Sequence, residues 1–432
     1  MKKFSSRRIE KNSTVLFNSL GCKLNKYELE VMRSQAEKLG LTPLFRQSVA
    51  DVVVINTCSV TNQASRDSRK MIRSYRRKNE DAYIVVTGCY AQTDSEILDS
   101  LDIDLWVENH EKENFYKCIA PDINNLETKT VPEKSVLDSI KFQSRPFLKV
   151  QDGCNAFCSY CIIPRARGRS RSLEADIVLK QLEELAPNYP EIVLTGVNLG
   201  QYRDGSIDLL ELLKKSVEVS GLGRIRISSI EPVDLSPDLL EFLVSHPKIC
   251  NHLHIALQGA QNDLLKAMRR KYTIEEYTDR LKYIKQNNPE FCLGTDVIVG
   301  FPGEDEASFE EGFKNIQAMP LDYFHVFTFS SREKTVAEKL PNHIENPIKK
   351  SRNRRLTELS NIRKDAFLNR QVGRKLQVVV ERERPASGYF KGLSSNYVPV
   401  IFESETNKSL QMVSVKVEEF HRNKVHAKLV TT

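Results

Sequence analysis

Short apolar runs punctuate the first 120 positions, at Thr14-Val15-Leu16-Phe17, Asp51-Val52-Val53-Val54-Ile55 and Tyr83-Ile84-Val85-Val86, with amphipathic stretches between them. Continuous apolar runs alternating with helical periodicity predict buried parallel strands in an open sheet. Each run leads into a cysteine within a turn: Leu20-Gly21-Cys22, Asn56-Thr57-Cys58 and Thr87-Gly88-Cys89. The carboxyl ends of parallel strands share one edge, where such sheets bind ligands, so these three cysteines are expected to converge in space. Between the second and third runs a helix is predicted from Thr61 to Lys78. At about 100° per residue, Arg66, Arg69, Lys70, Arg73, Arg76 and Arg77 fall on one side of it and Ala64, Met71, Ile72 and Tyr75 on the other. Such a basic side is ordinarily a solvated face; its closeness to Cys58 makes it a candidate for meeting phosphates.

Residues 121–144 lack periodicity and mix Asn, Lys, Glu and Ser, as linkers do. A second strand–helix rhythm then runs to about position 340. Its candidate strands are Phe147-Leu148-Lys149-Val150, Glu191-Ile192-Val193-Leu194, Arg224-Ile225-Arg226-Ile227, His252-Leu253-His254-Ile255, Thr295-Asp296-Val297-Ile298-Val299 and Tyr323-Phe324-His325-Val326-Phe327. Six strands with intervening helices predict a partial parallel α/β barrel, which gathers active-site residues at its strand C-termini. A polar helix is expected from about Ile348 to Arg370. After Val372-Gly373 come short strands around Leu376–Val380, Val398–Phe402 and Gln411–Val415, the spacing of a small β-barrel. The expected division is 1–120, a linker 121–144, 145–371 with its trailing helix, and 372–432.

Composition narrows the class. At 432 residues and 40% hydrophobic the chain supports two or three globular domains. No run approaches the roughly 18 to 20 apolar residues of a membrane span, and the basic start has no apolar segment behind it, so a cytoplasmic protein without a membrane partner is expected. Nine cysteines without a secretory signal fit a reducing compartment. Of these, Cys118, Cys250 and Cys292 follow no pattern and read as packing residues. The net charge of +7 is unevenly placed: residues 341–432 carry 18 Lys and Arg against 9 Asp and Glu, a net +9, leaving −2 for the first 340. A polyanionic partner is one reading of this and a soluble basic tail the other. Tyr389, Phe390 and Tyr397 near Lys391 add aromatic faces that suit single-stranded nucleic acid, or that fill a barrel core.

The sharpest chemical signal is Cys154-Asn155-Ala156-Phe157-Cys158-Ser159-Tyr160-Cys161, a CxxxCxxC spacing. Three thiolates this close can hold three corners of a 4Fe-4S cube and leave one iron open. A structural zinc site would want a fourth Cys or His nearby, and His110 and His252 lie far off in sequence. Redox CxxC chemistry uses two cysteines, and the third argues against it. Cys22, Cys58 and Cys89 read in the same way as a second three-thiolate set, the alternative being structural cysteines that each follow a strand.

Three spaced cysteines followed by CxxxCxxC and a β-barrel tail resemble the radical S-adenosylmethionine (SAM) methylthiotransferases over essentially the whole chain. Gly21-Cys22-Lys23-Leu24-Asn25-Lys26-Tyr27-Glu28, Ile55-Asn56-Thr57-Cys58, Val86-Thr87-Gly88-Cys89-Tyr90-Ala91-Gln92 and Ile162-Ile163-Pro164-Arg165-Ala166-Arg167-Gly168-Arg169-Ser170-Arg171 resemble the branch acting on N6-threonylcarbamoyladenosine in tRNA. The implied architecture is α/β: an open parallel N-terminal sheet of flavodoxin-like kind, a radical SAM partial (β/α)6 barrel and a small all-β TRAM barrel. The resemblance implies an auxiliary 4Fe-4S cluster on Cys22, Cys58 and Cys89, and a radical SAM 4Fe-4S cluster on Cys154, Cys158 and Cys161. It also implies SAM contacts at Tyr160, Thr195, Gly196, Asn198, Gln258 and Asp296. The segment Leu257-Gln258-Gly259-Ala260-Gln261 departs from the Leu-Gln-Ser-Gly-Ser of many relatives. The implied reaction is methylthiolation of C2 of the modified adenine at position 37, with electrons from a donor such as flavodoxin or ferredoxin. The anticodon stem-loop of tRNA would be held by Arg66, Arg69, Arg73, Arg165, Arg167, Arg169, Arg171, Tyr389, Lys391 and Tyr397.

Overall fold

A computed structural model describes residues 2–45, 49–124, 143–383, 388–421 and 424–430, so most of the expected linker lies outside the described residues. The opening apolar runs form the strands Thr14–Ser19, Val52–Thr57 and Tyr83–Gly88. Every position of the last two is buried, because both faces of the sheet are covered; that is why they read as unbroken apolar runs. With Thr42–Leu44 and Leu105–Trp106 they pair in parallel in the order 42–44, 14–19, 52–57, 83–88, 105–106, and Lys2–Lys3 closes the far edge antiparallel. This is a flavodoxin-like order, and chain direction across the sheet reverses between 14–19 and 52–57. Alternation sorts the strand residues onto two faces. Val52 and Val54 pack with Leu29, Met32 and Ala36 of the helix Lys23–Lys38, whereas Val53 and Ile55 pack with Ile72 of the helix Asn62–Lys78. Thr61 caps the second helix by accepting the Ala64 N–H. Arg76 departs from the expected basic side: it is buried, donating to Asp104 at 2.7 Å and to the carbonyls of Glu80 and Ala82.

Two three-stranded parallel sheets follow. Phe147–Lys149, Glu191–Thr195 and Arg224–Ile227 form one; His252–His254, Cys292–Val299 and Tyr323–Thr328 form the other. Parallel bridges Ile225 to Ile249 and Ile230 to Ile255 join them into one curved six-stranded wall, the expected partial barrel. Leu148, Ile192, Leu194, Ile225, Ile227, Leu253 and Ile255 belong to the large core beneath the outer helices. Alternation therefore turns Lys149, Glu191, Val193, Arg224, Arg226, His252 and His254 to the inner side. Arg224 and Arg226 are buried there and share Glu191, at 2.6 and 2.7 Å.

The helix Asn346–Asn369 packs along Tyr323–Thr328, burying Leu356 and Phe367. A closed five-stranded barrel then forms from Lys375–Val380, Tyr389–Ser394, Pro399–Glu403, Met412–His421 and Lys424–Leu429. Two of these strands escape the sequence pattern. Tyr389–Ser394 is interrupted by Lys391 and Gly392, and a side chain at Gly392 would meet Val378 Cγ1 at 2.2 Å. In Lys424–Leu429 only Val425 and Ala427 face inward. The barrel is docked firmly: Arg224 donates to Gln377 O, Arg226 to Ser394 O, and Cys292 packs in the barrel's own core. Cys118 and Cys250 are likewise buried.

Candidate functional site

Cys22, Cys58 and Cys89 leave the sheet at its carboxyl edge, each just after a parallel strand. Cys22 is the N-cap of the helix Lys23–Lys38 and Cys89 the first residue of Cys89–Thr93. Gly21, at φ +92°, brings its turn so close to Cys58 that a Cβ there would lie 2.7 Å from the Cys58 Sγ. Gly88, at φ +102°, lies against Thr57 in the same way. Cys58 exchanges hydrogen bonds with Ser68, its N–H donating to Oγ at 3.2 Å and its carbonyl accepting at 2.9 Å. Burial raises the thiols of Cys22 and Cys58, the latter to about 11, and each is raised further by like charge on Cys89.

The CxxxCxxC loop is shaped by its own backbone. Gly153 at φ +71° and Phe157 at φ +48° turn the chain, and the Cys154 N–H donates to Gly168 O at 3.2 Å. A side chain on Gly153 would collide with Arg169 O at 2.0 Å. Buried Gln151 ties this loop to the barrel: its amide nitrogen donates to Gly153 O and Ser170 Oγ, while its Oε1 accepts the Asn198 N–H at 2.8 Å. Cys154 Sγ lies 3.9 Å from Asn198 Nδ2, and Cys158 Sγ accepts from Arg270 Nη1 at 3.3 Å. Arg270 also donates to Glu231 and to Tyr272 at 3.0 Å. Sequence reasoning passed over Gln151, Glu231 and Arg270; Arg269-Arg270-Lys271 reads as an ordinary solvated basic run, and only the fold turns its middle residue inward. Burial pushes the Cys161 thiol up to about 12, with like charge from Cys158 and Cys154 adding to the shift.

Of the residues expected to contact SAM, Tyr160 lies in this loop and Thr195, Gly196 and Asn198 follow a neighbouring strand end tied to it by Gln151, whereas Gln258 and Asp296 pair with each other further round the wall. Thr195 ends its strand buried, and Gly196 passes so close to Gln151 that a Cβ would sit 2.8 Å from its Oε1. Asn198 is buried, and its Oδ1 finds no partner among the described residues. Tyr160 packs edge-on to Phe301, ring centroids 6.5 Å apart. Gln258, at φ +66°, donates its N–H to Asp296 O, and Asp296 Oδ1 stands 3.3 Å from His254 Nε2.

These donor sets fit iron–sulfur cubes. Each site offers three thiols in turns that glycines hold open, and where burial opposes ionisation, as at Cys22, Cys58 and Cys161, a thiolate forms readily beside positive charge such as iron. Among the described residues no group of His, Cys, Asp and Glu is close enough to hold a single metal ion. Thiolates on three corners of a cube bind different irons and stand wider apart than that. The orphaned Asn198 Oδ1 beside Cys154 suits a donor such as the ammonium of SAM.

One buried network joins the two triads. Arg167, six residues after Cys161, donates to Glu28 at 2.7 Å, to Asp152 at 3.1 Å and to Asn25 at 2.7 Å, and Lys112 reaches Glu28 at 2.7 Å. Its charge is felt by Cys22 and Cys58. This corrects the expectation that Arg167 grips RNA: fully buried, it is an interdomain anchor. Arg165 and Arg169 remain exposed, Arg169 over the Phe157 ring at 4.5 Å, and Arg171 is half-exposed with Asp152 at 2.9 Å. Arg66 and Arg73 are exposed and, with partly buried Arg69, line a groove of about 560 Å³. Tyr389 and Lys391 lie open on the terminal barrel. Tyr397 does not: at φ +65° it stacks on His252 at 4.1 Å, an interdomain contact that occupies one of its faces.

A curved six-stranded parallel wall with CxxxCxxC after its first strand defines a radical SAM protein, here with a second cysteine-bearing sheet in front. Residues 148–316 match the Radical SAM superfamily and residues 14–108 the uncharacterized protein family UPF0004. A threonylcarbamoyladenosine tRNA methylthiotransferase MtaB of Aquifex aeolicus is 37% identical over 89% of this chain and 96% of its own. The protein of that name in Bacillus subtilis is 37% identical over 94% of each chain. A tRNA-2-methylthio-N(6)-dimethylallyladenosine synthase of Thermodesulfovibrio yellowstonii is 29% identical over 98% of this chain and all of its own. Among solved structures, the radical SAM methyltransferase TsrM of Kitasatospora setae shares the fold with a TM-score of 0.55, at 16% identity over 74% of this chain and 75% of its own. The chain belongs to the threonylcarbamoyladenosine tRNA methylthiotransferase family of radical SAM proteins.

Proposed function

We propose that this protein methylthiolates C2 of N6-threonylcarbamoyladenosine at position 37 of tRNA. The observation that carries the reading is 37% identity, sustained over 94% of the chain, to a relative bearing that activity's name. In this reading Cys154, Cys158 and Cys161 would hold one 4Fe-4S cluster with SAM, and Cys22, Cys58 and Cys89 a second. Bound there, these groups supply a radical able to take hydrogen from an unactivated aromatic C–H, and the sulfur and methyl that replace it.

The chain's own part is placement, exclusion of water and control of charge. Arg270 donates to the Cys158 sulfur and fixes its position, and is itself held by Glu231. Asn198 offers its free Oδ1, and Tyr160, Phe301 and Phe329 wall the space with apolar surface. The Arg167–Glu28–Lys112 network fixes the two triads relative to one another, so that one substrate atom can be addressed from both sides. Arg66, Arg73, Arg165 and Arg169, together with Tyr389 and Lys391, are free to position the anticodon stem-loop through phosphates and a stacked base; phosphate contacts carry little sequence information. No described helix is long and apolar enough to cross a membrane. The reading places the protein in the cytoplasm, with a small flavodoxin or ferredoxin as electron donor.

Mass-spectrometric analysis of tRNA nucleosides from a strain lacking the gene tests the proposal. The 2-methylthio derivative of threonylcarbamoyladenosine should disappear while its precursor accumulates. Loss of the methylthio group from isopentenyladenosine instead would assign the protein to the sister reaction.

A further inference from the structure

A cavity of about 550 Å³ opens where the three parts of the chain meet. Lys23 and Lys26 come to it from the first turn after Cys22, Arg145 from the entry to the barrel, Arg226 from its inner wall and Tyr397 from the terminal barrel. The charge on its lining is unbalanced. Arg226 is neutralised by Glu191, and the one lining carboxylate, Glu30, is held by Arg33 at 2.5 Å. Lys23 and Lys26 make no ion pair or side-chain hydrogen bond among the described residues. Arg145 approaches Glu191 and Glu381 only at 3.9 and 3.7 Å, and its Nη1 is buried without a partner. A buried guanidinium donor left unpaired beside two free ammonium groups describes a site completed by an anionic oxygen group.

Resting on the function proposed above, we infer that this cavity reads the carboxylate of the threonylcarbamoyl substituent, with Lys23, Lys26 and Arg145 as its specificity-determining residues. An RNA phosphate has the same chemistry, but the position favours the carboxylate. The walls include Phe147 and Val193 on the inner side of the barrel, apolar surface that suits an extruded base and its substituent better than a sugar–phosphate backbone. Lys23 directly follows Cys22, so the recognising cation is anchored one residue from the triad that must address C2. On adenine, C2 and the N6-bearing carbon both adjoin N1, which makes that nearness a requirement. Lys23 and Lys26 are exposed and keep their hydration with any ligand, but an apolar isopentenyl group would leave the buried Arg145 Nη1 without a partner, so the same cavity disfavours the sister substrate.

The test is equilibrium binding of the cluster-containing protein to anticodon stem-loop RNAs carrying threonylcarbamoyladenosine, isopentenyladenosine or unmodified adenosine. Wild type should prefer the first. Lys23→Met, Lys26→Met and Arg145→Met should each cut that preference by about tenfold, the scale of one charge-assisted hydrogen bond, with affinity for the unmodified RNA and its salt slope unchanged. Equal weakening on all three RNAs, with the salt slope reduced by about one per variant, would assign the cations to phosphates and overturn the inference. Lys23→Arg keeps the charge and should keep the preference; a loss equal to that of Lys23→Met would show that packing beside Cys22 had been disturbed, and would also overturn it. A wild type that binds all three RNAs alike and forms no methylthio product would instead defeat the function proposed above.

Discussion

The two cysteine triads are assembled by opposite routes. Cys154, Cys158 and Cys161 sit in one short loop whose own backbone, turned at Gly153 and Phe157, sets the spacing of the sulfurs. Cys22, Cys58 and Cys89 stand on three separate turns, and only the register of Thr14–Ser19, Val52–Thr57 and Tyr83–Gly88 brings them together. The first site is as stable as a loop closure, the second as stable as a sheet. Damage to the loop should therefore stay local, whereas damage to sheet packing or to the Arg167 anchor should reach the auxiliary site first.

The largest effect is expected at the loop. Replacing Cys154, Cys158 and Cys161 by Ala should abolish reductive SAM cleavage, read as 5′-deoxyadenosine, while the N-terminal iron survives. Any cleavage near the wild-type rate would move the radical site elsewhere. The reciprocal triple replacement of Cys22, Cys58 and Cys89 should lower iron from about eight to about four per chain and leave SAM cleavage in place without a methylthio product. Full iron retention there would mean that the sheet edge holds no cluster.

A subtler break targets the anchor. Arg167→Met takes a buried partner from Glu28 and Asp152 but leaves them Lys112 and Arg171, so it should cost less than the about 3–5 kcal/mol of a fully broken buried pair and show as a lower denaturation midpoint with loss of N-terminal iron before that of the loop. The pH dependence follows. Burial alone would raise the Glu28 carboxyl, but Arg167 and Lys112 hold it well below the usual range. A depressed folded-state pKa contributes stability above the unfolded value of about 4.3, and that contribution is lost as pH falls through the folded pKa. Wild type should therefore weaken steeply in acid below about pH 4, and Glu28→Gln should flatten that limb; an unchanged limb would show that the pair does not couple to folding.

The smallest expected effect is the most discriminating. Gly21→Ala and Gly40→Ala both force positive φ on a residue with a Cβ, costing about 1–3 kcal/mol at most. Only at Gly21 does that Cβ press on the Cys58 sulfur, whereas Gly40 has nothing within 4 Å. Gly21→Ala should lower auxiliary iron and Gly40→Ala should not. Equal iron in both would show that the turn tolerates the methyl.

The loop triad was legible because its chemistry is written within eight consecutive residues, and the strands because their burial on both sides leaves unbroken apolar runs. Convergence of the second triad was legible only through a general property of parallel sheets. What escaped was charge turned inward. Arg167 and Arg76 carry the same side chain as exposed Arg165 and Arg73, yet a step of two or three residues along the helix and a packed neighbour make them anchors instead of phosphate ligands. The basic C-terminal segment reads as a detachable tail, but Arg224 and Arg226 donate into it and Cys292 packs in its core, so truncating it would expose buried charge. Sequence by itself determined the strand rhythm, the two cysteine sets and the family, since those depend on residue type and near spacing. Only the tertiary structure decided which cations are free, which are paired and where three domains leave a positive cavity, because a long charged side chain takes its role from partners that are distant in the chain.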